Sequence, residues 1–138
     1  MKSIIKTIME VISTPNAPIA IGPYSQAVIV NGCIYTSGCI PIDPKTNELF
    51  TGDIKAQSKL CLENLRELLK AGHADMTDVF STHVYLKDMA QFGEFNSIYE
   101  QFFKPPYPAR VCIQAAKLPK DAGIEIEAIA KIPTKPKI

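Results

Sequence analysis

The alternation of hydrophobic and polar residues predicts most of the strands in this chain. Two short β-prone runs, Ala27–Val30 and Cys33–Thr36, flank Asn31-Gly32, the dipeptide most typical of a tight hairpin because both turn positions need a positive φ. Strict alternation marks another strand at Val79–Leu86. Further strands are predicted over residues 6–12, about 109–115 and 124–132.

Apolar residues at helical spacing predict two helices. The first begins after Asp53, whose side chain can cap the free N–H groups of the first turn, and ends at Gly72. The second covers residues 89–103 and is stopped by Pro105 and Pro106, which cannot continue a helix. The order βββ-α-β-α-ββ favours an α+β sheet with both helices on one face. The opposite face then needs a cover, which a homo-oligomer would supply.

The length of 138 residues predicts a single domain over residues 1–138, with flexible ends at 1–5 and 134–138. A chain of this size can bury roughly two-thirds of its unfolded surface, so it needs no metal or disulfide to fold. The net charge of +1 provides no basic field for nucleic acid or an anionic membrane.

No apolar run near the start has the length of a secretory signal or of a membrane span. Glu10 and the absence of arginine before it argue against a mitochondrial signal, so we expect a cytoplasmic protein, with a mitochondrial one as the alternative. His73 and His83 are too isolated to indicate zinc; we expect His73 on the surface at a helix end and His83 buried. Reduced thiols are expected at Cys33, Cys39, Cys61 and Cys112.

The candidate chemistry begins at Arg110, which a proline-rich turn over residues 105–108 delivers to the start of a strand. The planar fork of an arginine fits a carboxylate with two parallel hydrogen bonds. Glu125 and Glu127 share one face of the last strand because side chains alternate along it. An anion clamp and an acid together indicate a small-molecule site.

Four separated motifs resemble the signature of the RidA/YjgF family, the reactive-intermediate imine deaminases also known as endoribonuclease L-PSP. The resemblance extends from about residue 16 to residue 132. The motifs are residues 21–26 (Ile-Gly-Pro-Tyr-Ser-Gln), 36–41 (Thr-Ser-Gly-Cys-Ile-Pro), 108–110 (Pro-Ala-Arg) and 124–130 (Ile-Glu-Ile-Glu-Ala-Ile-Ala), with support from Asn64-Leu65 and residues 95–99.

The resemblance implies a chorismate-mutase-like α+β fold of the bacillus type, with a mixed sheet and two helices on one face. It also implies a homotrimer with ligand clefts between subunits. The implied activity is the hydrolysis of 2-imino acids such as 2-iminopropanoate and 2-iminobutanoate, or of their enamine tautomers, to 2-oxo acids and ammonia. No cofactor and no metal are implied.

The family motifs also imply roles for individual residues. Arg110 matches the carboxylate clamp, and Glu125 matches the catalytic acid, which would position water and relay its proton. For Glu127 we prefer a solvated surface position. Cys112 has the parity of Arg110 and is expected to line the site rather than act as a nucleophile, because imine hydrolysis needs only water. The expected substrate-binding set is Tyr24, Ser37, Gly38, Asn96, Arg110 and Cys112.

Cys39 departs from the family pattern, which often has glutamine after the Ser-Gly pair. A thiol hydrogen-bonds weakly, so the substitution bears on substrate preference, and it suggests the hypothesis that Cys39 is sensitive to oxidation. Two other functions remain open at this point. One is an endoribonuclease acting on single-stranded RNA, which the near-neutral charge disfavours. The other is a non-catalytic ligand-binding or chaperone-like trimer.

Overall fold

In the computed structural model, which describes residues 8–134, the Asn31-Gly32 turn joins two strands as predicted. Its residues have φ values of 51° and 74°, the left-handed conformation that such a hairpin requires. The turn connects β2 (Ala27–Val30) to β3 (Cys33–Thr36), and β1 (Glu10–Ile12) pairs with β2 in antiparallel fashion. The strand predicted over residues 6–12 is therefore shorter, and residues 6 and 7 lie outside the described part of the chain.

The first helix has the ends that its capping residues predict. Helix α1 (Ile54–Ala71) begins where Asp53 Oδ1 accepts a hydrogen bond of 2.8 Å from the Ala56 N–H. It ends where the Gly72 N–H bonds to the carbonyl of Leu69. His73 follows, exposed and with a φ of 66°, in the surface position predicted for it.

The second helix is shorter than predicted. Helix α2 (Phe92–Phe102) is preceded by a separate 3₁₀ turn at Met89–Gln91. Asp88 caps that turn by accepting a hydrogen bond of 2.9 Å from the Ala90 N–H, so the chain makes one tight turn before the α-helix begins. None of the helices within residues 8–134 is both long enough and apolar enough to cross a membrane.

The last three strands are β4 (Val79–Leu86), β5 (Ala109–Gln114) and β6 (Ile124–Lys131). The six strands form one mixed sheet in the order β1-β2-β3-β6-β4-β5. Strand β4 pairs in parallel with β5 and antiparallel with β6. Strand β5 therefore lies at one edge of the sheet. The α+β class and the predicted element order are confirmed.

The helices cover one face of this sheet, and the hydrophobic core lies between them. Leu62, Leu65 and Phe95 of the helices pack there with Val84 and Ile126 of the sheet, and all five side chains are fully buried. This burial excludes water from the apolar surface and is the main stabilising contribution to the fold.

The opposite side, which we call the open face, is less buried. On β4 and β6 it carries His83, Tyr85, Glu125 and Glu127, and on β5 the half-exposed Val111 and Ile113. The prediction of a buried His83 is wrong, because its imidazole is 39% exposed on this face. That a second copy of the chain covers the open face stays a prediction.

Candidate functional site

A single buried amide fixes the loop between β1 and β2. The Gln26 amide nitrogen donates to the carbonyls of Thr14, Ala17 and Pro18 at 3.1, 3.3 and 2.7 Å. Its oxygen accepts from the Thr14 N–H at 2.7 Å. Because the amide satisfies four backbone groups, the loop holds one conformation without regular secondary structure. Sequence reasoning missed this residue, although it ends the first family motif.

The loop forms one wall of a cavity of about 370 Å³ at the point where the chain leaves β3. Four residues predicted for the site line this cavity and are called the acid group from here on: Tyr24, Ser37, Gly38 and Glu125. The rest of the lining is mostly apolar, and includes Ile19, Ile21 and Ile40. Such a mixture is typical of a small-molecule site.

Gly38 lets the Glu125 carboxyl group lie directly against the backbone. A Cβ at position 38 would collide with Glu125 Oε1 and would lie 2.7 Å from its Cδ. The next residue, Cys39, is bridged to Ile126 by backbone hydrogen bonds of 2.7 and 3.0 Å. The bridge holds the segment beside β6, so only glycine fits under the carboxyl group.

Ser37 and Tyr24 are anchored by the same loop. The Ser37 hydroxyl donates to the Ser25 carbonyl at 2.6 Å, which leaves its oxygen free only as an acceptor. The Tyr24 hydroxyl accepts from the Ile21 N–H at 3.1 Å, and its half-exposed ring stands at the cavity wall. Both residues line the cavity, and their contact with a ligand stays a prediction.

The environment of Glu125 disfavours its charged form. Partial burial raises the pKa of its carboxyl group, and the negative charge of Glu127 raises it further. A carboxylate with a raised pKa is a stronger base than one on an open surface.

A second set of predicted residues surrounds Arg110, and we call Asn96, Arg110 and Cys112 the arginine group. Arg110 Nη1 donates a hydrogen bond of 2.8 Å to Asn96 Oδ1. Its guanidinium lies 4.7 Å from the ring centroid of Tyr99, and the rings of Phe92 and Phe95 are 5.4 and 5.7 Å away. Within residues 8–134 no carboxylate pairs with Arg110, so its charge is available to an anion.

Cys112 follows on the same face of β5, as its parity predicts, and its side chain is half-buried. Burial raises the pKa of its thiol, and the positive charge of Arg110 offsets part of this effect. A protonated thiol is a poor nucleophile, so this environment agrees with a lining role.

The strand register places the two groups on opposite faces of the sheet. Arg110 pairs with Thr82, a fully buried residue whose hydroxyl is 2.9 Å from the Tyr99 hydroxyl on the helix side. Glu125 pairs with Tyr85 on the open face. Directly paired residues point to the same side, so one chain does not bring Arg110 and Glu125 together.

Glu127 is less solvated than the sequence suggests. Its Oε1 accepts a hydrogen bond of 2.9 Å from the Tyr85 hydroxyl, and this bond raises the pKa of Tyr85. Sequence reasoning missed the pair because the register of β4 against β6 has no local signal.

The structure argues against the hypothesis that Cys39 is sensitive to oxidation. Burial and the nearby Glu125 raise the pKa of its thiol to about 12. The reactive thiolate is therefore scarce at neutral pH. Within residues 8–134 no three His, Cys, Asp or Glu side chains form a group that could hold a metal ion.

Comparison with known proteins gives consistent matches over most of the chain. The family described as Endoribonuclease L-PSP matches residues 14–132. A RutC family protein of Sulfurisphaera tokodaii is 50% identical over 121 residues, 88% of this chain and 97% of the relative. The 2-iminobutanoate/2-iminopropanoate deaminase of Homo sapiens is 50% identical over 123 residues, 89% of this chain and 90% of the relative.

A solved structure agrees with these sequence matches. The crystal structure of E. coli TdcF with bound serine superposes with a TM-score of 0.83 and 41% identity, covering 88% of this chain and 98% of that one.

Proposed function

The chain belongs to the endoribonuclease L-PSP family, the RidA/YjgF family whose motifs it carries, and on this premise we propose that it hydrolyses 2-imino acids. The proposed substrates are 2-iminopropanoate, 2-iminobutanoate and their enamine tautomers, and the products are 2-oxo acids and ammonia. The observation that carries the proposal is the Glu125 carboxyl group, which lies against Gly38 in an apolar cavity. Neither a cofactor nor a metal is needed, because a protonated imine is already electrophilic.

We propose that the complete site lies between chains of a homotrimer. Arg110 and Glu125 lie on opposite faces of one sheet, so a neighbouring chain would bring its arginine group to the acid group. The apolar Val111 and Ile113 of the open face, 51% and 48% exposed, would lose contact with water in such an assembly.

In this site Arg110 would bind the substrate carboxylate through its guanidinium fork. Asn96 orients the fork, and the three aromatic rings stabilise the cation without neutralising it. The TdcF structure with bound serine supports an amino-acid-like ligand in this fold. The remaining acid group, Tyr24, Ser37 and Gly38, would shape the pocket around the imine carbon.

The reaction needs one water molecule and three proton movements, two of them through Glu125. Glu125 takes a proton from water as the water oxygen bonds to the imine carbon, and the π electrons of the C=N bond move to nitrogen. Glu125 then gives that proton to the nitrogen. The C–N bond breaks, the hydroxyl proton is released, and the carbonyl of the 2-oxo acid forms with ammonia. Holding water and imine in place supplies most of the remaining acceleration.

A coupled assay tests the proposal directly. An amino-acid oxidase or a threonine dehydratase generates the imine, and its decay is followed with and without this protein. We expect faster decay in proportion to the protein added. Decay at the uncatalysed rate over a range of amino-acid precursors would contradict the proposal.

The same preparation separates the two rival functions. A non-catalytic binding module would still bind a carboxylate ligand in calorimetry but would leave the imine decay unchanged. An endoribonuclease would bind single-stranded RNA with an affinity that falls as salt rises, because protein cations replace counterions on the phosphates.

A further inference from the structure

The open face carries a cluster of titratable side chains beside Glu125, formed by His83, Tyr85 and Glu127. The Tyr85 hydroxyl donates to Glu127 Oε1 at 2.9 Å. His83 Nδ1 lies 3.6 Å from the same oxygen, too far for a hydrogen bond. The Glu127 carboxylate is therefore held in one place while 37% of its side chain remains exposed.

The register explains why one acid of the pair is fixed and the other is free. Tyr85 is paired with Glu125 across β4 and β6, yet its hydroxyl bonds to Glu127, two residues along. The Cα atoms of Glu125 and Glu127 are about 7 Å apart on one face of a strand. Within the described chain no hydrogen bond is made to the Glu125 carboxyl group, which leaves it open to water and substrate.

We propose that Glu127 is a positioning residue for the reaction: held by Tyr85, its carboxylate places a fixed negative charge beside Glu125 and makes Glu125 a stronger proton acceptor. The inference rests on the proposed function, because it gives Glu127 a part in imine hydrolysis. The sequence alone suggests a solvated surface position for Glu127 with no part in the reaction, and the inference replaces that interpretation.

The electrostatics agree with this arrangement. Burial is the larger cause that raises the pKa of Glu125, and the charge of Glu127 is the second. The pKa of Tyr85 is raised mainly by its hydrogen bond to Glu127, so the phenol keeps its proton and remains the donor.

No other charged group takes the place of Glu127 among the described neighbours of Glu125. Within one chain, strand β5 faces Glu125 with apolar residues and Arg110 is on the other face. In the proposed trimer a neighbouring chain's arginine group reaches Glu125 in the parent and in the variants alike, so its charge cancels from their comparison. Lys87, the residue after β4, is paired with Asp121 at 2.9 Å. The remaining titratable groups around the carboxyl are His83 and Tyr85 of β4, Cys39 after β3, Cys61 of α1 and Tyr24 across the cavity.

The first test is the pH profile of kcat/KM for imine hydrolysis in Glu127→Gln. Without the negative charge, Glu125 loses its proton more readily, so we expect the acidic inflection to move to lower pH. Glu125 also becomes a weaker base, so kcat on the plateau should fall about threefold with KM unchanged. The substrate's own protonation is common to all variants and cancels from the comparison. Glu67→Gln is the matched control, because Glu67 on α1 has a similar side-chain exposure of 35% and does not line the cavity.

Tyr85→Phe removes the hydroxyl and keeps the ring. The carboxylate of Glu127 remains but loses the hydrogen bond that holds it in place. We therefore expect the acidic inflection of the kcat/KM profile to move to lower pH by a smaller amount than in Glu127→Gln. Tyr35→Phe is the control, because Tyr35 is a 43% exposed tyrosine on neighbouring β3. A purely structural role for Tyr85 and Glu127 would lower kcat at every pH without moving the inflection, and this outcome would overturn the inference.

An NMR titration of the Glu125 carboxyl carbon gives a readout that needs no turnover. We expect its midpoint to fall in Glu127→Gln and to stay in Glu67→Gln. An unchanged midpoint and inflection in an active Glu127→Gln protein would overturn the inference alone. Absent turnover in the unmodified protein would overturn the proposed function and, with it, the part of Glu127 in catalysis. The NMR midpoint would then decide only whether the charge of Glu127 acts on the Glu125 carboxyl group.

Discussion

The arginine group and the acid group place opposite charges in similarly apolar surroundings, and the protein treats the two charges differently. Arg110 is accompanied by an amide at 2.8 Å and by three aromatic rings, all of which favour its cation. Glu125 has an apolar cavity on one side and the negative Glu127 nearby, and both disfavour its anion. The first environment preserves a permanent charge, whereas the second makes a proton easy to exchange.

This difference indicates how the proposed site would divide its two tasks, carboxylate binding and proton transfer. A group that binds a carboxylate must keep its charge at every working pH, and arginine among rings and amides does so. A group that moves a proton must be able to take up and release it, and burial together with a neighbouring acid raises the pKa of the Glu125 carboxyl group and so makes it a better proton acceptor. The following substitutions test the division.

The largest effect is expected at Arg110. Arg110→Ala removes the clamp, and kcat/KM for imine hydrolysis should fall by about a thousandfold, because a hydrogen-bonded charge in a partly buried site is lost. The oligomer should persist, as judged by light scattering. Arg66→Ala is the matched control, since the Arg66 guanidinium lies 4.8 Å over the Phe102 ring outside the site. Retained activity in Arg110→Ala would refute the clamp.

The second effect concerns the proton carrier. Glu125→Gln keeps the shape of the side chain but cannot accept a proton, so kcat should fall by about a hundredfold. KM should change little, because Arg110 still holds the carboxylate. Steady-state kinetics separate the two constants. A large rise in KM at constant kcat would instead assign Glu125 to substrate binding.

A smaller loss is expected where the acid lies against the backbone. The Cβ in Gly38→Ala would overlap the Glu125 carboxyl group and displace it, so kcat should fall about tenfold. Gly93→Ala is the control, because a Cβ there meets no atom within 4 Å apart from its chain neighbours and the backbone of its own helix. Equal activity in the two variants would show that the position of the carboxyl group is not critical.

The smallest effect is on stability and depends on pH. The folded pKa of Glu125 lies above its ordinary value of 4.5, so the folded state binds the proton more tightly than the unfolded state. Stability is therefore lost as pH rises from that value through the raised pKa. Glu125→Gln removes this loss, and we expect it to be more stable than the parent at pH 8 by less than about 1 kcal/mol, since solvent screens the partly exposed group.

Denaturant titrations at pH 4 and pH 8 measure the difference. The advantage of Glu125→Gln should be present at pH 8 and nearly absent at pH 4. A variant that is less stable than the parent at pH 8 would show that the carboxylate stabilises the fold.

The sequence predicts the local parts of the fold well, because their causes are local. The Asn31-Gly32 turn, the Asp53 cap and the Gly72 stop act within a few residues, and each has the predicted place. The shorter second helix has a local cause too, the separate cap at Asp88, but its signal is weaker than the apolar pattern around it.

The site is predicted less completely, because its geometry depends on pairings between distant strands. Alternation along a strand predicts which residues of β5 share a face with Arg110 and which residues of β6 share a face with Glu125. Whether the two residues point to the same side depends on the register of β4 with both neighbours, which no local pattern encodes. The bond from Tyr85 to Glu127 depends on the same register, so it too was beyond sequence reasoning.

The placement of Arg110 and Glu125 on opposite faces has a genetic consequence in the proposed trimer. A chain without the arginine still contributes an intact acid group, and a chain without the acid contributes an intact arginine group. Assembled together, they regenerate some whole sites from two defective alleles. Loss-of-function alleles would therefore fall into two classes that complement between the classes and fail within each, and a cross between mutants would sort residues by the half of the site they serve.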